Sequence, residues 1–323
     1  MLSRETNLTS SYTRREALKI LGGSLAYPFI SRFEVPQEFQ RTSEYGERWN
    51  TLQTTIDTKI KRYRNFSPYA EVSISLLDLQ TDARISLDGD IPRQPGCVIN
   101  QFVLYSLIED FRKGLYGYQP LARSIYLAVG ESKAAAAEEL LRRYVGQGSA
   151  AAGATRINQM IGGLGLTTAF FDHPPAFPHK GLEGRPNLMT ADEAVDIMAK
   201  LYRNQIFKDQ KWTDFAIQRL VEGKPGLNYM VGIGVRSEPG VRVAHKIGYF
   251  SDPDDSWRDV ECDAGLILIN NPGTPNGEIA YAMAIFSKGN THSPSDRPSI
   301  LYDGWFTWHV SRAAYNFFKK QYF

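Results

Sequence analysis

Gln94-Pro95-Gly96-Cys97-Val98-Ile99-Asn100-Gln101-Phe102-Val103-Leu104 opens a helical run that is apolar around most of its circumference. Pro95 and Gly96 break the backbone before it. Val98, Ile99, Phe102, Val103, Leu104, Leu107 and Ile108 then fill most faces of a helix predicted over 98–114. A helix apolar all round is normally buried. Cys97 and Asn100, three residues apart at its mouth, share one face. Two polar groups at the positive end of a buried helix suit a reaction centre. They suit equally a plain core helix with a small capping thiol, and these residues alone leave both readings open.

The surrounding chain narrows the choice. Its 323 residues fit one large domain or two closely joined lobes. A hydrophobic content of 42% and a charged content of 22% are those of a soluble globular protein. A net charge of +2, without a basic stripe interleaved with aromatics, excludes a nucleic-acid partner. Cys97 and Cys262 are too few for a disulfide framework, and whether they pair is open.

Thr13-Arg14-Arg15-Glu16-Ala17-Leu18-Lys19 precedes an apolar run over 20–30. The run is too short to span a bilayer. Paired arginines before a moderately apolar, glycine-containing segment predict a twin-arginine export leader over 1–30. That leader implies a bacterial periplasmic or extracellular destination, with no membrane span in the mature chain. Residues 31–44 are polar and irregular and read as a linker.

Periodicity places the remaining elements. Trp49, Leu52, Ile56 and Ile60 predict an amphipathic helix over 47–64, and alternation over 69–79 predicts a strand. The Gln80-Thr81-Asp82 turn and a second strand over 83–87 complete a hairpin. Helices are predicted over 134–144, 151–161, 190–202 (opened by a Thr190…Glu193 capping box) and 211–222. Strands follow over 241–250, 262–269 and 279–287, then a final helix over 305–322. Consecutive strands joined by short turns imply an antiparallel sheet. The fold class is therefore α+β: the sheet flanked by the first and last helices, with a block of helices as a second lobe.

Polar residues that converge come from three stretches: Cys97…Asn100, Ser132-Lys133-Ala134 and His245-Lys246-Ile247-Gly248. Acyl transfer needs a nucleophile, a proton acceptor and oxyanion donors. Cys97 near a lysine is expected to have a depressed pKa. Ser132 is placed to shuttle protons, and Lys246 to hold a substrate carboxylate. His245, next to Lys246 on a strand, is expected to point to the opposite face.

The order and spacing of these stretches resemble the class A serine β-lactamases and their penicillin-binding relatives, whose motifs are S-x-x-K, S-D-N and K-T-G. Gly96-Cys97-Val98-Ile99-Asn100, Ser132-Lys133-Ala134 with its alanine- and leucine-rich tail, and Val243-Ala244-His245-Lys246-Ile247-Gly248 occupy the corresponding places. Asp263-Ala264-Gly265-Leu266-Ile267 matches the next strand. The resemblance implies a two-lobed domain over 45–323. Its sheet lobe would comprise about 45–95 and 230–323, and its helical lobe about 96–229. It also implies an oxyanion hole from the backbone N–H groups of Cys97 and Tyr249, with no cofactor and no metal.

The departures fall on the chemistry. Cys97 stands at the serine position and Asn100 at the lysine position, where an amide takes no proton. Lys133 and Ala134 replace the aspartate and asparagine, and Ile247 the threonine. Ser132, Lys246 and Gly248 remain. Glu183-Gly184-Arg185-Pro186-Asn187 keeps the spacing of the family's deacylating motif in a shorter loop, which makes Glu183 a weak candidate base. Asp172, His173 and His179 lack a recognised metal spacing. Asp252, Asp254 and Asp255 lack the glycine and distal glutamate of a calcium loop.

Three functions follow. The first is an exported, non-hydrolytic homologue that binds a cell-wall peptide, a β-lactam-like ligand or a protein in the interlobe cleft. The second is a Cys97-dependent acyl hydrolase or transferase, and the third a purely structural envelope protein. The degenerate motifs favour the first.

Overall fold

The computed structural model describes residues 43–323 except 69, 174–185, 225, 252–258, 275 and 290–299. The predicted leader and linker, Glu183, His179 and the Asp252–Asp255 cluster lie outside the described residues.

Among the described residues five strands form one antiparallel sheet: β1 (Glu71–Asp78), β2 (Arg84–Leu87), β3 (Val241–Ser251), β4 (Asp259–Asn270) and β5 (Glu278–Lys288), in the order β2-β1-β5-β4-β3. The β1–β2 hairpin turns at Asp82, whose φ is 60°. The N- and C-terminal strand pairs join where β1 lies beside β5, with Ile74 opposite Ile285. Among the described residues β3 is an edge strand, paired to β4 with Lys246 opposite Ala264 and Gly248 opposite Cys262. Side-chain alternation along the strands gives the sheet two apolar faces.

One face is covered by the first helix, α1 (Ser43–Phe66), and the last, α7 (Ile300–Tyr322). In α1, Tyr45, Trp49, Leu52, Ile56, Ile60 and Tyr63 repeat at three- and four-residue steps, so one stripe is buried. These residues pack with Tyr281, Met283, Ile285 and Phe318. Tyr281 and Phe318 stack with ring centroids 4.1 Å apart. At one corner the buried carboxylate of Asp78 accepts hydrogen bonds from Tyr45 Oη (2.7 Å), Tyr322 Oη (2.5 Å), Thr81 Oγ1 (2.9 Å) and the Gln80 amide (2.9 Å). Four donors satisfy a group that would otherwise be costly to bury.

The opposite face carries the helical lobe: α2 (Gln101–Arg112), α3 (Ala134–Leu140), α4 (Ala150–Gly163), α5 (Ala191–Tyr202) and α6 (Gln210–Val221). Ala264, Ala280, Ala282 and Ala284 line this face and are fully buried. Their small side chains let α5, which itself buries Ala191, Ala194 and Ala199, lie close to the strands. The predicted capping box is present. Glu193 N donates to Thr190 Oγ1 at 3.0 Å, and Thr190 N donates to Glu193 Oε2 at 3.1 Å.

The structure differs from prediction in two helices. The helix predicted over 98–114 begins as a 3-10 turn, Gly96–Asn100, and becomes α-helical only at Gln101. The helix predicted over 134–144 ends α-helical geometry at Leu140 and finishes in a π turn, Leu141–Val145. Apolar periodicity does not separate these wider and tighter turns from an α-helix. No described helix is long and apolar enough to cross a membrane.

Candidate functional site

Two glycines bring the Cys97 turn onto the edge strand. Gly96 adopts a left-handed φ of +53°, and a Cβ there would lie 3.0 Å from Gly248 Cα. A Cβ on Gly248 would lie 2.4 Å from Pro95 O and 2.7 Å from Cys97 N. Neither residue has room for a side chain, so the two backbones touch. Cys97 and Asn100 bracket this turn, and residues i and i+3 of a 3-10 helix are eclipsed. Their shared face survives the change of helix type.

Cys97 is 6% exposed. Its Sγ lies 3.9 Å from Ser132 O, the weak end of sulfur hydrogen bonding. Burial pushes the thiol pKa up, and the charge of Lys246 offsets this only in part. The expectation of a depressed pKa is therefore corrected. A cation nearby is not enough where the thiolate would have no water. Asn100 is fully buried, and neither amide atom has a hydrogen-bond partner among the described residues.

Ser132 lies between a π turn, Tyr126–Gly130, and α3. Its φ of +54° is left-handed, which costs a residue with a Cβ. Lys133, not Ser132, is the N-cap residue of α3, and the Lys133 amide bonds Leu127 O at 2.8 Å. The Ser132 hydroxyl is thereby left to accept a hydrogen bond from Lys246 Nζ. Ser132 is partly exposed, in contrast to Lys246 at 1%.

Lys246 also donates to Ile247 O at 2.8 Å. Burial lowers its pKa, opposed by Cys97 and Asp263. Its side-chain nitrogen thus faces Ser132 and backbone, contacts that the expected substrate carboxylate would have to share. Ile247 is partly buried beside it, and Tyr249 is 52% exposed at the end of the strand.

His245 points to the other face, as alternation predicts. Its Nδ1 lies 2.9 Å from Asp263 Oδ2, and that oxygen also accepts from Val231 N at 3.1 Å. His245 is therefore engaged away from Cys97 and does not serve it as a base. Cys262 and Cys97 are both free thiols, and Cys262 Sγ lies 3.4 Å from Gln94 O. His173 Nδ1 lies 2.8 Å from Asp172 Oδ2, while Asn187 Oδ1 accepts from the backbone amides of both residues. That cluster ties residues 172 and 173 to Asn187. Among the described residues, no group of three or more His, Cys, Asp or Glu is placed to hold a metal ion.

Sequence reasoning missed Arg93. Its guanidinium bonds Ser73 Oγ at 3.0 Å and pairs with Glu71, and its backbone bridges to Met189. These contacts fix the strand end that leads into the Pro95–Gly96 turn. No local pattern marks them, since every partner is distant in sequence.

A five-stranded antiparallel sheet, a helical lobe on one face and a serine–lysine contact on the edge strand define the class of penicillin-binding and β-lactamase folds. The chain belongs to the Beta-lactamase enzyme family, whose model matches residues 118–303. Among solved structures, a PBP-A mutant captured as its acyl-enzyme complex with penicillin G superposes with a TM-score of 0.63. It is 18% identical, over 84% of this chain and 97% of its own. TLA-1 extended-spectrum β-lactamase gives 0.64 at 17% identity, over 83% and 98% of the two chains. A class A β-lactamase from Bacteroides cellulosilyticus DSM 14838 gives 0.63 at 16%, over 83% and 99%. At these identities the likeness establishes the fold. The comparison with curated proteins finds no match.

Proposed function

We propose that the protein is an exported, non-hydrolytic relative of the β-lactamases. In this reading the cleft between a sheet lobe (about 45–95 and 230–323) and a helical lobe (about 96–229) retains a cell-wall peptide or β-lactam-like ligand without turning it over. The leader over 1–30 directs it by the twin-arginine route to the periplasm or beyond. Oxyanion contacts come from the backbone N–H groups of Cys97 and Tyr249.

The observation that carries the reading is the state of Cys97. The thiol is buried, burial raises its pKa, and among the described residues no base is hydrogen-bonded to it. Asn100 stands where relatives have a lysine, and its amide takes no proton. A nucleophile without a proton acceptor forfeits the 10²–10⁴-fold that general-base catalysis typically contributes.

The test is equilibrium binding of penicillin G and of a muropeptide by calorimetry, beside a nitrocefin hydrolysis assay. Saturable binding with hydrolysis no faster than buffer is the expected result. Multiple turnover of nitrocefin, or no binding of either ligand, overturns the reading.

A further inference from the structure

We propose that Ser132, rather than Cys97, is the acyl-accepting nucleophile of this cleft, with Lys246 Nζ as the base that receives its hydroxyl proton. This deepens the reading above, since it makes retention of an acyl ligand covalent. It rests on that reading only in requiring a cleft open to acyl compounds.

Four observations support the pair. Lys246 Nζ is hydrogen-bonded directly to Ser132 Oγ, so the proton path has no intermediary. Access favours the serine: Ser132 is partly exposed, whereas Cys97 is 6% and Lys246 1% exposed. The lysine has no paired counter-ion among the described residues. Among the described residues no carboxylate lies within ion-pair distance of it, and Asp263 is bound on the far face by His245 and Val231 N. Burial without a paired carboxylate favours the neutral amine, the form that accepts a proton, over the smaller opposing influence of Cys97 and Asp263. Finally, the left-handed backbone of Ser132 keeps its side chain off the end of α3. Strained non-glycine residues of this kind concentrate at functional sites.

The step balances without a co-reactant. A lone pair of Ser132 Oγ bonds to the carbonyl carbon of an activated ester or strained amide, and the hydroxyl proton passes to the Lys246 amine. The bond from carbonyl carbon to the leaving oxygen or nitrogen breaks with its electron pair. An amine leaving group takes its proton back from the Lys246 ammonium, and a phenolate needs none. The product is an ester on Ser132. Among the described residues neither a carboxylate nor an imidazole is bonded to Ser132 to activate water against that ester, which on this proposal is long-lived.

The experiment treats the wild-type protein with p-nitrophenyl acetate, follows p-nitrophenolate release and locates the acetyl group by peptide mass spectrometry. The expected result is a burst of one equivalent with acetyl on Ser132. The burst rate should rise with pH to a plateau below the ordinary lysine range. Ser132→Ala removes the burst, and Lys246→Met slows it by about 10²–10⁴-fold. If Lys246→Met does not fold, the acetyl position in the wild type still decides. Acetyl on Cys97, acetyl only on surface lysines, or release without a burst overturns the proposal. Reversible retention of penicillin G with no acetyl-ester formation sinks the serine–lysine pair and leaves the binding reading standing. Acetyl on Ser132 without saturable penicillin G binding does the reverse.

Discussion

Replacing Asn100 by leucine is expected to make the protein more stable. The asparagine side chain is fully enclosed and neither its Oδ1 nor its Nδ2 is hydrogen-bonded among the described residues. A buried polar group left unpaired costs about 1–3 kcal/mol, because it gives up water and receives nothing in return. Leucine repeats the heavy-atom branching of asparagine, so the exchange opens no cavity, but its two methyl groups take more room and repacking uses up part of the gain. The net gain should therefore be about 1 kcal/mol. For a folded body of this size that corresponds to a rise in Tm of about 2 °C. Urea unfolding followed by tryptophan fluorescence, together with calorimetry, measures it directly. An unchanged or lower midpoint would refute the reasoning, since it would mean that the amide is satisfied. The gain in stability should come with weaker retention of an acyl ligand if the amide is kept for that ligand.

Two further outcomes follow from the same corner of the molecule. Gly248→Ala forces a methyl group to within 2.4 Å of Pro95 O and 2.7 Å of Cys97 N, so the turn must move off the strand. We expect a loss of about 1–3 kcal/mol, read from the denaturation midpoint, as for other overpacked sites. Cys97 titrates above the ordinary thiol range because burial disfavours the thiolate. Its alkylation by iodoacetamide should thus be slow at neutral pH and still be climbing with pH beyond the range where an exposed thiol has levelled off. Fast labelling at pH 7, measured by intact mass, would contradict the burial argument.

Most of the framework was legible because it rests on local repetition. The stripe from Tyr45 to Tyr63 announces α1, and the Thr190–Glu193 capping box marks the start of α5 to the residue. Alternation alone also placed His245 and Lys246 on opposite faces of β3. What could not be read depends on depth and distance. The sign of the Cys97 shift turns on how much water reaches the sulfur, which the packing of two lobes decides. The left-handed Ser132 and the unpaired Asn100 carry no local signature, because serine and asparagine occur in many backbones and environments. The π turns at 126–130 and 141–145 are likewise invisible to a periodicity that tolerates a residue of slippage.

The Asp78 carboxylate has a consequence for topology. Tyr45 lies in the first turn of α1, Tyr322 is the last residue of α7, and their hydroxyls meet on the same oxygen. The beginning and end of the described body are thus brought to one spot, as is common in single domains. A short peptide between residues 323 and 43 should close the body into a ring. New ends opened in an exposed loop elsewhere would leave the order of strands in the sheet unchanged. The sheet and the cleft are in this sense indifferent to where the chain starts, and the body is suited to being carried as an insert within another protein.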